Sequence, residues 1–200
     1  MYLIFLDSET TGINPEKHRL LEIAYKVIDS ITRKTVLSYE TIVSQPLEIW
    51  AEADPSSLEV TGFFWEDTLR GKTESVVADE IIQDLNHLQL GTKTGVFICQ
   101  NPSFDRAFFA QLIHVELQKH FGWPYHWLDL ASMYWAIQIS KDPSKLAHIK
   151  ENDLSKDEIA RSFGITPEGY PHRAMNGVNH LIACYEALLG SFSNHSLSAY

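Results

Sequence analysis

Asp7 and Glu9 stand two residues apart at the end of a continuously apolar run, Met1-Tyr2-Leu3-Ile4-Phe5-Leu6. A short apolar run bounded by turn residues predicts a buried strand. Side chains two apart on a strand point to the same side, so these carboxylates converge. Charge at the end of a core strand is costly unless something neutralises it. Two converging acids suit a divalent cation, and hard oxygen ligands favour magnesium or manganese. The competing reading of an isolated Asp-x-Glu is a pair of strand-end acids capping the next element. The continuation Thr10-Thr11-Gly12 weakens it, because two hydroxyls and a glycine make a tight polar turn that a substrate backbone can approach.

Asp105 follows a second apolar run, Gly95 to Cys99, at the start of a helical pattern. Ligand sites of α/β sheets collect at such strand ends, although a first-turn acid also satisfies a helix dipole. Asn101, four residues earlier, is a turn residue or a substrate contact. His172 follows the loop Gly169-Tyr170-Pro171. A histidine there either faces solvent or acts as a general base that deprotonates water near neutral pH. Three carboxylates and a histidine have the chemistry for two-ion hydrolysis of a phosphodiester. In that reaction one ion activates a water and the other stabilises the leaving oxygen, at a separation of roughly 4 Å.

The elements that position these groups follow from hydrophobic periodicity. Leu20 to Ile28 and Thr35 to Val43 predict strands two and three, joined to the first by short connections as an antiparallel meander. A helix is expected after Thr73, with Val76, Val77, Ile81, Leu85 and Leu88 at helical spacing. Gly95 to Cys99 is the fourth strand, and Ser103 is expected to cap a helix over residues 104–119. His126 to Leu128 is a short fifth strand, with Asp129 capping a helix to about Ile139. Lys141 to Asn152 is a polar connection. Ser155 to Phe163 is a short helix with a capping-box pattern, and His172 to Leu189 the last helix. Three strands followed by strands alternating with helices describe an α/β sandwich around a mixed sheet. Phe63, Phe64 and Trp65 are core or lid packing, or a stacking surface for terminal bases. Glu22 is a polar strand residue or a hydrogen-bond partner behind the site.

Two hundred residues with 44% apolar side chains suit one domain, residues 1–190, followed by a loose serine-rich tail, residues 191–200. Two cysteines, Cys99 and Cys184, form neither a disulfide framework nor a clustered zinc motif and fit a reducing compartment such as the cytoplasm. No signal peptide and no membrane span is expected. The formal charge is −10, with 8 basic and 16 acidic residues in the first half. That excludes a long duplex-wrapping surface. A small metal-bridged nucleic-acid site remains open, because bound cations invert the local electrostatics.

Phe5-Leu6-Asp7-Ser8-Glu9-Thr10-Thr11-Gly12, Asn101-Pro102-Ser103-Phe104-Asp105, and Leu154 to Ile165 followed by His172-Arg173-Ala174 occur in the order of three motifs. Through them the chain resembles the DEDD exonuclease superfamily over residues 2–189, in its histidine-bearing branch of proofreading exonucleases, oligoribonuclease and ribonuclease T. The resemblance implies a ribonuclease H-like fold and removal of nucleotides from the 3′ end of single-stranded DNA or RNA. It implies that Asp7, Glu9 and Asp105 bind Mg2+ or Mn2+ as two ions, or one if the site is depleted, and that His172 activates the water. It places Thr10, Thr11, Gly12, Asn101 and Phe104 against the terminal nucleotide. Its partners would be nucleic-acid 3′ ends, with a homodimer or a polymerase-like partner open.

One position departs from the family pattern. The fourth acid, five residues after the histidine, is replaced by Gly177, with Asn176 before it. Glycine offers no ligand, and Asn176 would offer a neutral carbonyl only if the helix shifted by one residue. No acid lies between Glu168 and Glu186. The enzyme works with a depleted site, takes an acid from elsewhere, or is an altered form of an active protein. The alternative function is a catalytically impaired module that binds nucleic-acid ends or a protein partner.

Overall fold

The opening strand, β1 (Tyr2–Thr10), lies at the centre of a five-stranded sheet. This arrangement is taken from a computed structural model that describes residues 1–189, the side chains of residues 151 and 152 excepted. The tail expected at residues 191–200 lies outside the described residues. β2 (Leu20–Asp29) and β3 (Thr35–Ile42) continue antiparallel from β1, as the meander reading expects. Three short helices follow, α1 (Leu47–Ala51), α2 (Pro55–Thr61) and α3 (Trp65–Thr68), and then α4 (Glu74–His87). β4 (Gly95–Cys99) returns on the other side of β1 and runs parallel to it. After α5 (Pro102–Leu112) and α6 (Val115–His120), β5 (Trp127–Asp129) adds in parallel to β4, giving the order β3-β2-β1-β4-β5. α7 (Leu130–Lys141), α8 (Lys156–Ser162) and α9 (Ala174–Leu188) complete the described elements, with two 3-10 turns between α7 and α8.

Strand alternation sends side chains into two separate cores. Ile4 and Leu6 pack with Ile23, Tyr25, Val27 and Phe97 against Val77, Ile81 and Leu85 of α4 and Phe108 and Phe109 of α5. Leu3 and Phe5 pack with Ala24 and Ile98 against α8 and α9, including Ile159, Ala160, Val178 and Leu181. Both faces of β1 are therefore covered, which is why its sequence is continuously apolar rather than alternating. The result is the mixed α/β sandwich expected of a ribonuclease H-like chain, with helices on both faces of the sheet.

Several boundaries differ from the sequence reading. The helix expected over residues 104–119 is two helices. α5 ends at Ile113, which is extended at φ −132° and ψ 96° and fully buried. The break directs the Ile113 side chain into the core, and Gln118 Nε2 donates to the freed Ile113 carbonyl at 2.6 Å. Ser103 does not cap α5. Asn101 holds the N-cap position without a side-chain capping bond, in the left-handed region at φ 56°, with Pro102 at the first helical position, where the missing N–H costs nothing. β5 is displaced by one residue because Trp127 pairs with Phe97 and their rings stack at 4.2 Å. Asp129 caps α7 as expected, accepting from the backbone N–H groups of Ala131 and Ser132.

The last helix begins at Ala174, so His172 precedes it rather than opening it. Glu22 explains the start. Its Oε2 accepts from the Ala174 N–H at 2.8 Å, doing from β2 what a local cap does elsewhere. Glu22 also faces Glu9 across the β1–β2 register. Cys99 and Cys184 are both buried and unpaired. No helix among the described residues is long and apolar enough to cross a membrane. Because Glu22 fixes the α9 terminus, E22A should cost about 1–2 kcal/mol of unfolding free energy. Urea denaturation would measure it, with E22Q closer to wild type because the amide oxygen keeps the acceptor.

Candidate metal centre and cleft

The parity that builds the two cores also sorts the motif residues at the tip of β1. Asp7 and Glu9 share the face of Leu3 and Phe5, toward α8 and α9. Ser8 points the other way, and its Oγ donates to Asp105 Oδ1 at 2.7 Å. Asp105 sits in the first turn of α5, almost fully buried. Burial, reinforced by the Asp7 charge, raises its pKa well above the ordinary carboxylate value, against the opposing hydrogen bond from Ser8. Asp7 and Asp105 thus lie near enough at the strand end for the charge of one to act on the other, while neither belongs to the three-ligand group described below.

Two groups singled out by no motif complete the cluster. Lys156, the first residue of α8, places its Nζ 2.8 Å from Glu168 Oε2 and 3.4 Å from Asp7 Oδ1. Burial alone would lower the Lys156 pKa, but Asp7 and Glu168 overcome it and raise it. Glu168, in the loop before α9, is held there by its N–H donating to Asp157 Oδ1 at 2.9 Å. Its side chain is buried, and Oε1 has no hydrogen-bond partner. Burial also raises the Asp7 pKa, opposed by Lys156 and helped by Glu168. Glu9 is pushed up to about 8 by burial, then by the charges of Asp7 and Glu168. One ammonium does not neutralise this many acids.

His172 completes a three-ligand group. Ligand atoms of Glu9, Glu168 and His172 all lie within 4.8 Å of one another, a spacing suited to one cation. The histidine is placed by its loop. Its N–H donates to the Val60 carbonyl at 3.0 Å, and Arg173 reaches the Thr61 carbonyl while stacking 4.2 Å over Phe63. The Tyr170 ring lies 4.8 Å from the imidazole. Phe63 is therefore packing, and Phe64 is exposed.

The α9 helix does not shift. Gly177 faces the acids, and Asn176, about 100° round the helix, is exposed to solvent. Asn176 is accordingly not brought into the cluster. A Cβ at Gly177 would overlap the Asp7 carboxylate and stand 2.9 Å from Lys156 Nζ. The donor set fits one divalent cation, with the orphaned Glu168 oxygen as the pointer. The α9 position supplies no ligand, and the Lys156 ammonium stands 3.4 Å from Asp7 Oδ1.

Beside Glu9 a cleft of about 350 Å3 opens, lined by Ser8, Thr10, Ile13, Val60, Thr61 and Phe104 among others. Thr10 and Phe104 thus line the cleft. Asn101 lines a smaller adjoining hollow of about 220 Å3 that shares Ile13 and Phe104. Thr11 is fully buried and pairs with Arg19 through both its N–H and its Oγ1. Gly12 accepts from Thr10 Oγ1, and a Cβ there would overlap the His18 ring. These two residues shape the turn rather than line the cleft. Asp129 spends its oxygens on Asn101, Ala131 and Ser132 and stays out of the site.

Sequence carried a faint signal for Lys156. A lysine in the first turn of a helix opposes the dipole, so it needs carboxylate partners from elsewhere. Glu168 carried none beyond marking the edge of the acid-free stretch. Glu9 holds its proton more tightly folded, at about 8, than at its ordinary 4.5. The stability this confers is full below about 4.5 and is lost as pH rises toward 8. The thermal midpoint of the chelated protein should therefore fall across that window, with added Mn2+ restoring more at pH 8 than at pH 6. A flat profile in a differential scanning experiment would contradict the assignment.

No protein-family model and no curated protein matches the chain. Solved structures do. One is a 3′-exonuclease described by its 3′-end-specific recognition of the histone mRNA stem-loop, at 16% identity and TM-score 0.68, covering 94% of this chain and 64% of that one. E. coli exonuclease I in complex with a dT13 oligonucleotide aligns at 17% identity and TM-score 0.70, over 94% and 41% of the two chains. The nuclease domain of 3′hExo, a DEDDh family member bound to rAMP, aligns at 17% identity and TM-score 0.63, over 94% and 92%. The chain spans less than two thirds of the length of the first two. At these identities the likeness fixes shape and not chemistry. The chain has the fold of these exonuclease structures, and at the end of its central strand it carries a three-ligand group, Glu9, Glu168 and His172, that could hold a metal ion.

Proposed function

We propose that the chain binds the 3′ ends of single-stranded nucleic acid in the cleft beside Glu9, without two-ion phosphodiester hydrolysis. The observation that carries this reading is the pairing of an open cleft at Thr10 and Phe104 with a cluster in which Lys156 stands against Asp7 and Gly177 stands at the position where the resemblance expects an acid. Binding survives that exchange more readily than catalysis. A terminal phosphodiester needs positive charge near the acids, which Lys156 and one divalent cation provide, and an apolar wall for its base, which Phe104 and Ile13 provide. The overall charge of −10 confines such binding to this local patch. The DEDDh fold is shared with structures described with a dT13 oligonucleotide and with rAMP, which supports the same class of ligand here.

A second reading is favoured by His172, which lies beside Glu9 and Glu168. It is a slow 3′–5′ exonuclease that works with a single ion and this histidine as base. A 5′-labelled single-stranded oligonucleotide with Mn2+ separates the two. Retained binding by fluorescence anisotropy with no shortening of the oligonucleotide is expected. Stepwise shortening from the 3′ end, abolished in H172A, would establish the second reading instead, and no binding to DNA or RNA would overturn both. F104A should weaken binding about 5- to 100-fold, the range expected for loss of one base-stacking contact.

A further inference from the structure

Three independent features meet at the end of β1. The Lys156 ammonium is 86% covered and lies between two carboxylates, 2.8 Å from Glu168 and 3.4 Å from Asp7. Gly177, at the position where the resemblance expects an acid, has no room for even a Cβ without displacing the Asp7 carboxylate, and such a Cβ would stand 2.9 Å from the same ammonium. Glu168, on a side chain 97% buried, offers a ligand oxygen within 4.8 Å of ligand atoms of Glu9 and His172, and its Oε1 has no hydrogen-bond partner. A buried carboxylate oxygen without a donor points to a ligand.

We propose that the Lys156 ammonium stands permanently in place of one divalent ion, and that Glu168 supplies the carboxylate that α9 lacks. What remains is a site for a single divalent cation held by Glu9, Glu168 and His172. A tethered ammonium fulfils the structural half of an ion's role, since it pairs with both Asp7 and Glu168 and holds α8 against the strand tip. It cannot fulfil the chemical half, because a single charge with its own fixed protons binds no water as a ligand and does not acidify one. A second divalent ion against Asp7 would have to approach the ammonium closely, and the two repel. The loss of the α9 acid and the presence of Lys156 are thus one exchange. With the lysine in place, a carboxylate at 177 would have neither space nor an ion to bind. Two carboxylates and an imidazole suit manganese better than the all-oxygen cages that calcium prefers.

The proposal rests on the reading of this cleft as the exonuclease-type pocket, but its test contains no nucleic acid. A wrong ion count would leave oligonucleotide binding standing, and absent oligonucleotide binding would leave the ion count standing. The test is an Mn2+ titration of the full chain, with free Mn2+ followed by its EPR signal. Wild type is expected to take up one ion per chain, E168Q to bind it about tenfold more weakly or worse, K156R to keep one, and K156M to take up two. Two ions or none on wild type, or unchanged binding in E168Q, would overturn the proposal. A folded K156M that still takes up one ion would overturn it as well. Should circular dichroism show K156M unfolded, the wild-type and E168Q titrations decide alone.

Discussion

Like charges gathered at the tip of one buried strand are the constraint around which this molecule is arranged. Asp7 and Glu9 project from β1, Asp105 arrives from α5, and Glu168 comes over from the loop before α9. Desolvation and mutual repulsion would separate them if nothing opposed it. Ser8 and Lys156 oppose it, the first with a hydrogen bond to Asp105 and the second with an ion pair to each of Asp7 and Glu168. Burial first, and then the neighbouring negative charges, raise the pKa values of Asp7, Glu9 and Asp105. Burying a single ion pair does little for stability by itself, but leaving either partner alone in such a place is severe. Lys156 is therefore as much a part of the cluster as the acids are.

The sheet makes that cluster rigid. β1 has an antiparallel neighbour on one side and a parallel one on the other, and both of its faces are covered by apolar cores. Its register opposes Glu9 to Glu22, and Glu22 holds the first N–H of α9. The helix that carries Gly177 is thereby referenced to the same strand that carries Asp7. The histidine has a looser attachment. It rides on a loop strapped to the end of α2 through the Val60 and Thr61 carbonyls, so the wall of the cleft and the placement of His172 are mechanically one piece.

Shape and chemistry rest on different residues in this chain. The path of the backbone follows nucleases with which it shares 16–17% of its residues, because the fold depends on apolar periodicity and strand parity, which many sequences satisfy. Chemistry depends on a handful of side chains at the strand tip, and one exchange there changes it. Replacing an acid on α9 by glycine frees just the space that the Asp7 carboxylate and the Lys156 ammonium occupy. The fold tolerates this because a charge of the right sign comes from α8, close at hand on the same face of the sheet.

The amino-acid sequence by itself determined the elements and the first half of the site. The apolar run Tyr2 to Leu6, the β-branched strands and the turn glycines fix the mixed sheet, since those features act through neighbours in the chain. The Asp7–Glu9 spacing fixes their common direction, since strand parity is local. It also showed that an acid was missing at Gly177. It did not show that Asn176 faces solvent, that Glu22 caps a helix more than 150 residues away, that α5 breaks at Ile113, or that Thr11 and Gly12 support the turn instead of lining the cleft. Only the tertiary structure decided which charges stand beside Gly177. Lys156 and Glu168 reach Asp7 and Glu9 across more than 140 residues of chain. Electrostatic pairing depends on distance in space, and no spacing along a sequence encodes which distant charge will be folded against which.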